Sequence, residues 1–114
     1  MFDNVPDWAM GLNCAITVCD AQGIVLYMNE KSQRTFAKSG GADLIGKSLF
    51  PCHSERSQAM IKQFIAEGKS NSYTILKNGV KKLIYQTPWY QEGKVAGMVE
   101  ISIEIPEEMP HYVR

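Results

Sequence analysis

The amino-acid sequence predicts a single α+β domain built on an antiparallel sheet, on three observations. Two short strand-like segments come first, helical segments fill the middle and three strand-like segments come last, without the βαβ alternation of a parallel sheet. Asn78-Gly79 separates two strand-like runs and is among the strongest short hairpin signals a sequence can carry. The chain has 114 residues, the usual size of one domain, and no internal repeat or linker-like break divides it.

Residues 5–12 suit a short helix with Asn4 as N-cap and Pro6 in the first turn, where a missing N–H costs little. Residues 14–19 alternate and place Cys14, Ile16 and Val18 on one face of a strand. Asp20-Ala21-Gln22-Gly23 follows as a hairpin turn, with Gly23 free to take positive φ. Residues 24–28 are apolar throughout, as expected of a strand buried on both faces. Asn29 can cap a short polar helix over 30–38, ended by Gly40-Gly41, and a further helical turn at 42–45 stops at Gly46. After Pro51, Ser54 caps a longer helix over Glu55–Glu67, with Met60, Ile61, Phe64 and Ile65 as its buried stripe. Strands over 72–77, 81–90 and 95–105 complete the chain, joined at Asn78-Gly79 and Glu92-Gly93, and Pro106 and Pro110 forbid further regular pairing.

The turns imply a register. A two-residue loop at Asn78-Gly79 sets Leu76 opposite Lys81 and Tyr73 opposite Ile84. A two-residue loop at Glu92-Gly93 sets Tyr85 opposite Glu100, Thr87 opposite Met98 and Ile84 opposite Ile101. Alternation then sorts the sheet into an apolar face of Tyr73, Ile75, Ile84, Val99, Ile101 and Ile103, and a second face carrying Leu83, Tyr85, Thr87, Met98, Glu100 and Ser102. The second mixes apolar bulk with polar groups, the composition of a ligand-lining surface. The middle helices can cover one face. For the other only the short N-terminal segment with Trp8, Met10 and Leu12 remains, so either a second subunit covers that face or this segment suffices.

Composition bounds the function. Twelve Lys plus Arg balance twelve Asp plus Glu, which offers no reason to propose nucleic acid or an anionic membrane as partner. No stretch approaches the length of a transmembrane helix, and the N-terminus lacks the basic and apolar segments of a signal peptide. Three cysteines are too few for a disulfide framework, and the expectation is a reducing, cytoplasmic compartment. There is no nucleophile–base–acid set, no metal-ligand spacing and no phosphate-binding glycine loop, so the chain is expected to bind and signal, not to catalyse.

Four segments stand in order along the chain: Ala15-Ile16-Thr17-Val18 with Asp20-Ala21-Gln22-Gly23, residues 24–29 and the helix after them, Asp43-Leu44-Ile45-Gly46-Lys47-Ser48-Leu49, and Gly93-Lys94-Val95-Ala96-Gly97 through Ser102. In these the chain resembles a PAS domain, the sensory module of many bacterial signalling proteins. The resemblance divides the chain into a cap segment (1–12), the PAS-like domain (13–105) and a tail (106–114). It implies a five-stranded antiparallel sheet flanked by short helices that enclose a pocket for a cofactor or metabolite, and an outer sheet face that docks flanking helices or a second subunit. It places Met98, Glu100 and Ser102 inward and Val99, Ile101 and Ile103 outward. Glu104-Ile105-Pro106 departs from the usual end of the last strand, so a helical lever directly after it is not expected. The chain reads either as a piece of a longer sensor or as a free-standing relative.

The candidate cofactor-binding residues are Cys52, His53, Tyr85, Met98, Glu100 and Ser102, with no metal site and no cofactor named. His53 is either a haem ligand, as the resemblance implies for a histidine on the helical side of the pocket, or a histidine at a helix entrance bonded to solvent or backbone. Cys52 is either a reactive thiol near a helix N-terminus or a buried, inert one. Its surroundings lack the Asn-Cys-Arg-Phe-Leu segment of the light-sensing flavin relatives. Tyr85 and Glu100 read as cross-strand neighbours, forming either a polar anchor for a ligand or a structural pair. The expected function is a sensory domain that encloses a small molecule and signals through the outer sheet face. A ligand-free dimerisation module and a haem or thiol redox sensor are the alternatives.

Overall fold

The computed structural model describes residues 4–114, the Cys52 side chain excepted. Residues 1–3 of the expected cap segment therefore lie outside the described residues. The chain is α+β, with one five-stranded antiparallel sheet in the order β2-β1-β5-β4-β3. The strands are β1 (Ala15–Asp20), β2 (Val25–Met28), β3 (Asn71–Lys77), β4 (Val80–Gln91) and β5 (Lys94–Glu104). The helices are α1 (Asp7–Met10), α2 (Glu30–Thr35) and α3 (Glu55–Glu67), with 3-10 turns at Ala37–Ser39, Gly41–Leu44 and Phe50–Cys52. None of the described helices is long and apolar enough to cross a membrane.

Local chemistry explains most boundaries. Asp20 Oδ1 accepts from the N–H groups of Gln22 and Ile24, both at 2.9 Å, which closes the β1–β2 turn around Gly23 at φ 82°. Ser54 accepts from Ser57 N at the start of α3, and Gly68 ends that helix in the left-handed region. The first helix starts at Asp7, later than the sequence implies, because Pro6 is extended (ψ 147°) and occupies the cap position expected of Asn4. The second stops at Thr35, since Phe36 leaves helical geometry and the chain tightens into a 3-10 turn. On α3 the buried residues are Ile61 and Ile65, whereas Met60 is exposed at the helix edge.

Asn29 is the main fastening of the first half. It is fully buried, and its Oδ1 accepts from Ile16 N and Ser32 N while its Nδ2 donates to Ala9 O and Cys14 O. One side chain thus caps α2, holds the start of β1 and ties down α1. The core lies between the sheet and α3, where Cys19, Val25, Met28, Leu49, Ile61, Ile65 and Met98 pack together.

Both late hairpins turn where expected, with Asn78, Gly79, Glu92 and Gly93 all at positive φ. The β3–β4 register also follows the turn, with Tyr73 opposite Ile84 and Leu76 opposite Lys81. The β4–β5 register does not. Tyr90 pairs with Val95 but Trp89 with Gly97, so Ala96 is an extra residue on β5 and every later pair slips by one. Tyr85 therefore lies opposite Ile101, not Glu100, and Gln86 takes the place expected of Tyr85.

The slip moves β3 and β4 to the opposite face relative to β5. Tyr73, Ile75 and Ile84 share the inner, helix-covered face with Met98, Glu100 and Ser102. The outer face carries Leu83, Tyr85 and Thr87 with Val99, Ile101 and Ile103. Burial on the outer face is concentrated at the β1–β2 end, where Val18 and Tyr27 are covered. At the other end Leu76, Tyr85 and Ile103 are exposed, Leu76 by 75%.

Candidate functional site

The two edges of the sheet differ, and the difference places the site. The β2 edge is covered by the segment that follows the helical turns, through hydrogen bonds from Val25 N to Lys47 O, Gly46 N to Val25 O and Leu49 N to Gly23 O. The β3 edge has no such cover among the described residues, and Tyr73 and Ile75 remain exposed even on the inner face. Between that half of the sheet and the helical side lies a cleft of about 330 Å³. Thr35, Phe36 and His53 line its helical wall, and Thr17, Tyr73, Ile84, Glu100 and Ser102 its sheet wall. A second cleft, of about 340 Å³, lies between α3 and the same strands, lined by His53, Met60, Asn71, Tyr73 and Gln86. His53 and Tyr73 border both clefts. Deeper in, Cys19, Met28, Leu49 and Met98 leave only a hole of about 30 Å³, room for roughly one water molecule.

A polar chain crosses the floor. Asn71 Nδ2 donates to Gln86 Oε1 at 3.3 Å, and Gln86 Nε2 donates to Glu100 Oε2 at 2.9 Å. Gln86 is buried, so this pair of bonds fixes which end of its amide faces the carboxylate: the reverse orientation would set oxygen against oxygen. Thr17, opposite Glu100 on β1, shares a hydroxyl hydrogen bond of 2.5 Å with Ser32 on α2. Burial raises the Tyr73 phenol above its ordinary range, and the negative charge of Glu100 adds to the effect. Burial likewise pushes the Cys19 thiol up to about 11, against a hydrogen bond with the Met98 backbone that lowers it. That thiol is a packing group, not a nucleophile.

The six residues singled out from the sequence are distributed unevenly. Glu100 and Ser102 line the main cleft, and Met98 is buried behind it. His53 is half-buried between the clefts, in extended backbone just before α3. Tyr85 is a correction: it points to the outer face, where hydrogen bonds with Ser70 and then Thr87 lower its pKa. The bulge at Ala96 is the physical reason. Both readings of the Cys52 thiol lie outside the described residues. No group of three or more His, Cys, Asp and Glu side chains that could hold a metal occurs among the described residues. Residues not anticipated are Thr17, Thr35 and Phe36, together with Asn71, Tyr73, Ile84 and Gln86, the last four brought in by the same slip. Gly97 was the available signal, because an isolated glycine inside a strand marks a bulge or a close backbone approach.

Comparison with known proteins agrees with this architecture. A family model described as the PAS fold matches residues 11–109. None of the curated protein sequences matches. Among solved structures, the Vibrio cholerae VqmA dimer, a LuxR-type receptor in the absence of its target DNA, superposes with a TM-score of 0.72 at 18% identity over 95% of this chain. The chain spans 55% of that protein's length. VqmA bound to DPO superposes at 0.70, with 17% identity over 87% of this chain and 56% of VqmA. The Aer2 receptor of Vibrio cholerae, a dual PAS-heme oxygen sensor, superposes at 0.63, with 16% identity over 86% of this chain and 99% of the other. At such identities the likeness carries the fold, and the family match over most of the sequence carries the membership. The chain belongs to the PAS family.

Proposed function

We propose that this PAS domain is a sensory module that binds a small molecule in the cleft between the inner sheet face and the Phe36–His53 wall. The observation that carries the reading is the cleft itself. Its volume of about 330 Å³ falls in the range of small-molecule sites, and it combines Phe36 and Ile84 with the convergent polar groups of Thr17, Glu100 and Ser102. Binding must favour one arrangement of the fold over another for a signal to pass. The route runs through β5, whose Glu100 and Ser102 face the cleft while Val99, Ile101 and Ile103 form the outer face. On that face a second copy of the chain is the proposed partner, covering the exposed Leu76, Tyr85 and Ile103.

The native mass and absorption spectrum of freshly purified protein test the reading. A retained metabolite or a coloured group is the expected result. A colourless protein whose mass equals the chain alone, and whose cleft binds nothing in a metabolite screen, would leave a ligand-free dimerisation module. The exposed apolar outer face favours that second reading. A haem absorption band lost in His53→Ala would instead make the protein a haem sensor. For the dimer, Ile101→Glu is expected to halve the apparent mass in size-exclusion chromatography, and an unchanged mass would remove this interface.

A further inference from the structure

The charge balance of the cleft assigns a chemical class to its ligand, an inference that rests on the cleft being the ligand site. Glu100 is half-buried in the cleft wall, and its hydrogen bond among the described residues comes from a neutral group, the Gln86 amide. That bond uses one of the roughly four acceptor positions a carboxylate offers. The ion pairs among the described residues, Lys31–Glu104 and Lys69–Glu67, involve other carboxylates. Two lysines do line the same cleft, Lys77 and Lys82. Lys82, however, is the cross-strand partner of Glu104, four positions along β4 from Gln86 or about 13 Å of strand. Lys77 stands opposite Val80 at the hairpin end, farther still. Both lysines thus sit toward the hairpin end of the cleft, with Glu104 across the ladder from Lys82. At the other end Glu100 stands with a neutral partner, among Phe36, His53, Tyr73 and Ile84, and His53 makes no ion pair with it among the described residues.

A ligand that enters here displaces water from Glu100 and must replace its hydrogen bonds. An anion would be repelled, and an apolar group would leave a carboxylate desolvated and under-bonded, which is costly. An ammonium group supplies three donors and the compensating charge together. We propose that the cleft takes a small organic amine in its protonated form, with the ammonium seated on Glu100 and the apolar body against Phe36 and Ile84. Tyr73 fits the assignment, since the negative field of Glu100 reaches its phenol across the cleft floor.

Three near-isosteric probes separate this class from its rivals: phenethylamine, phenethyl alcohol and 3-phenylpropionate, titrated against the full chain by backbone amide NMR and calorimetry. Phenethylamine is expected to shift the amides of Gln86, Glu100 and Tyr73 and to bind about tenfold or more tightly than the alcohol, the usual worth of a charge-assisted hydrogen bond. The propionate is expected to bind weakest. Glu100→Gln, which keeps shape and the possibility of an amide–amide bond to Gln86, is expected to abolish the amine's advantage over the alcohol. A thermal melt of that variant establishes that it is folded. An amine that binds no better than the alcohol, or that is indifferent to Glu100→Gln, overturns the amine assignment while the cleft stands as a site for the alcohol. If none of the three shifts a cleft amide at millimolar concentration, the amine assignment falls together with the cleft as a ligand site.

Discussion

A methyl group added at Gly97 would lie 1.9 Å from the Cys19 carbonyl oxygen and 2.8 Å from both Cα and the carbonyl carbon of Asp20. All three are backbone atoms of β1, so no side-chain rotation relieves the clash. Ordinary contact begins near 3.4 Å, and β1 and β5 would have to part by more than an ångström. Gly97 stands between Asp20 on β1 and Trp89 on β4, and the Trp89 indole N–H reaches across it to Cys19 O at 2.9 Å. Parting the strands weakens the ladder there and breaks the indole bond. Overpacking costs about 1–3 kcal/mol and each lost hydrogen bond about 1 kcal/mol, so Gly97→Ala is expected to destabilise the domain by about 3–5 kcal/mol. That is a large share of the ~5–15 kcal/mol that holds a domain together. Urea denaturation followed by circular dichroism measures it, with Gly11→Ala as control, where the new methyl meets only Asp7 O at an ordinary 3.6 Å. A loss below about 1 kcal/mol at Gly97 would refute the close approach of β1 to β5.

Three further outcomes are expected. Asn29→Ala removes four hydrogen bonds and strands buried partners on α1, β1 and α2, and should cost about 3–5 kcal/mol in the same urea assay. The Cys19 thiol ionises near 9.0 when unfolded and about 11 when folded, so the unfolded state loses its proton first as pH rises. Its contribution, roughly 2–3 kcal/mol, is fully present below pH 9.0 and fades as pH climbs to about 11. The slope is read as the difference between the native protein and Cys19→Ala, which cancels the tyrosines that titrate nearby. Finally, a double-mutant cycle on stability should find coupling of about 1 kcal/mol between Gln86→Leu and Glu100→Ala and none between Tyr85→Phe and Glu100→Ala. Coupling to Tyr85 instead would restore the register implied by turn length alone.

The sheet was legible wherever local chemistry decides it. Asn78-Gly79 and Glu92-Gly93 set two tight turns, Asp20 and Gly23 a third, and Ser54 with Gly68 bounded α3. The β3–β4 register followed from its loop because nothing else intrudes on that edge hairpin. The β4–β5 register did not, because Ala96 is an extra residue on β5, next to a glycine that β1 approaches too closely for any side chain. No turn-length rule contains β1. Of the site, Glu100 and Ser102 on β5 were legible because the inward face of that strand came from the family resemblance. The groups on β3 and β4 were not, since a one-residue slip exchanges all of them at once. His53 could be placed before a helix, but its position between two clefts depends on tertiary packing that sequence spacing does not encode.

The indole that spans Gly97 also makes the domain its own optical reporter. The chain has two tryptophans, and Trp8 is 69% exposed on α1 while Trp89 is half-buried and hydrogen-bonded to β1. Their emission should separate, with Trp89 to the blue of Trp8. In a Trp8→Phe background the remaining fluorescence comes from one point, where β4, β5 and β1 meet. Cys19, whose carbonyl holds that indole, turns its side chain into the hole behind the cleft. If a small molecule settles against Glu100 as proposed, the Trp89 emission is expected to change in intensity or wavelength, without any label attached.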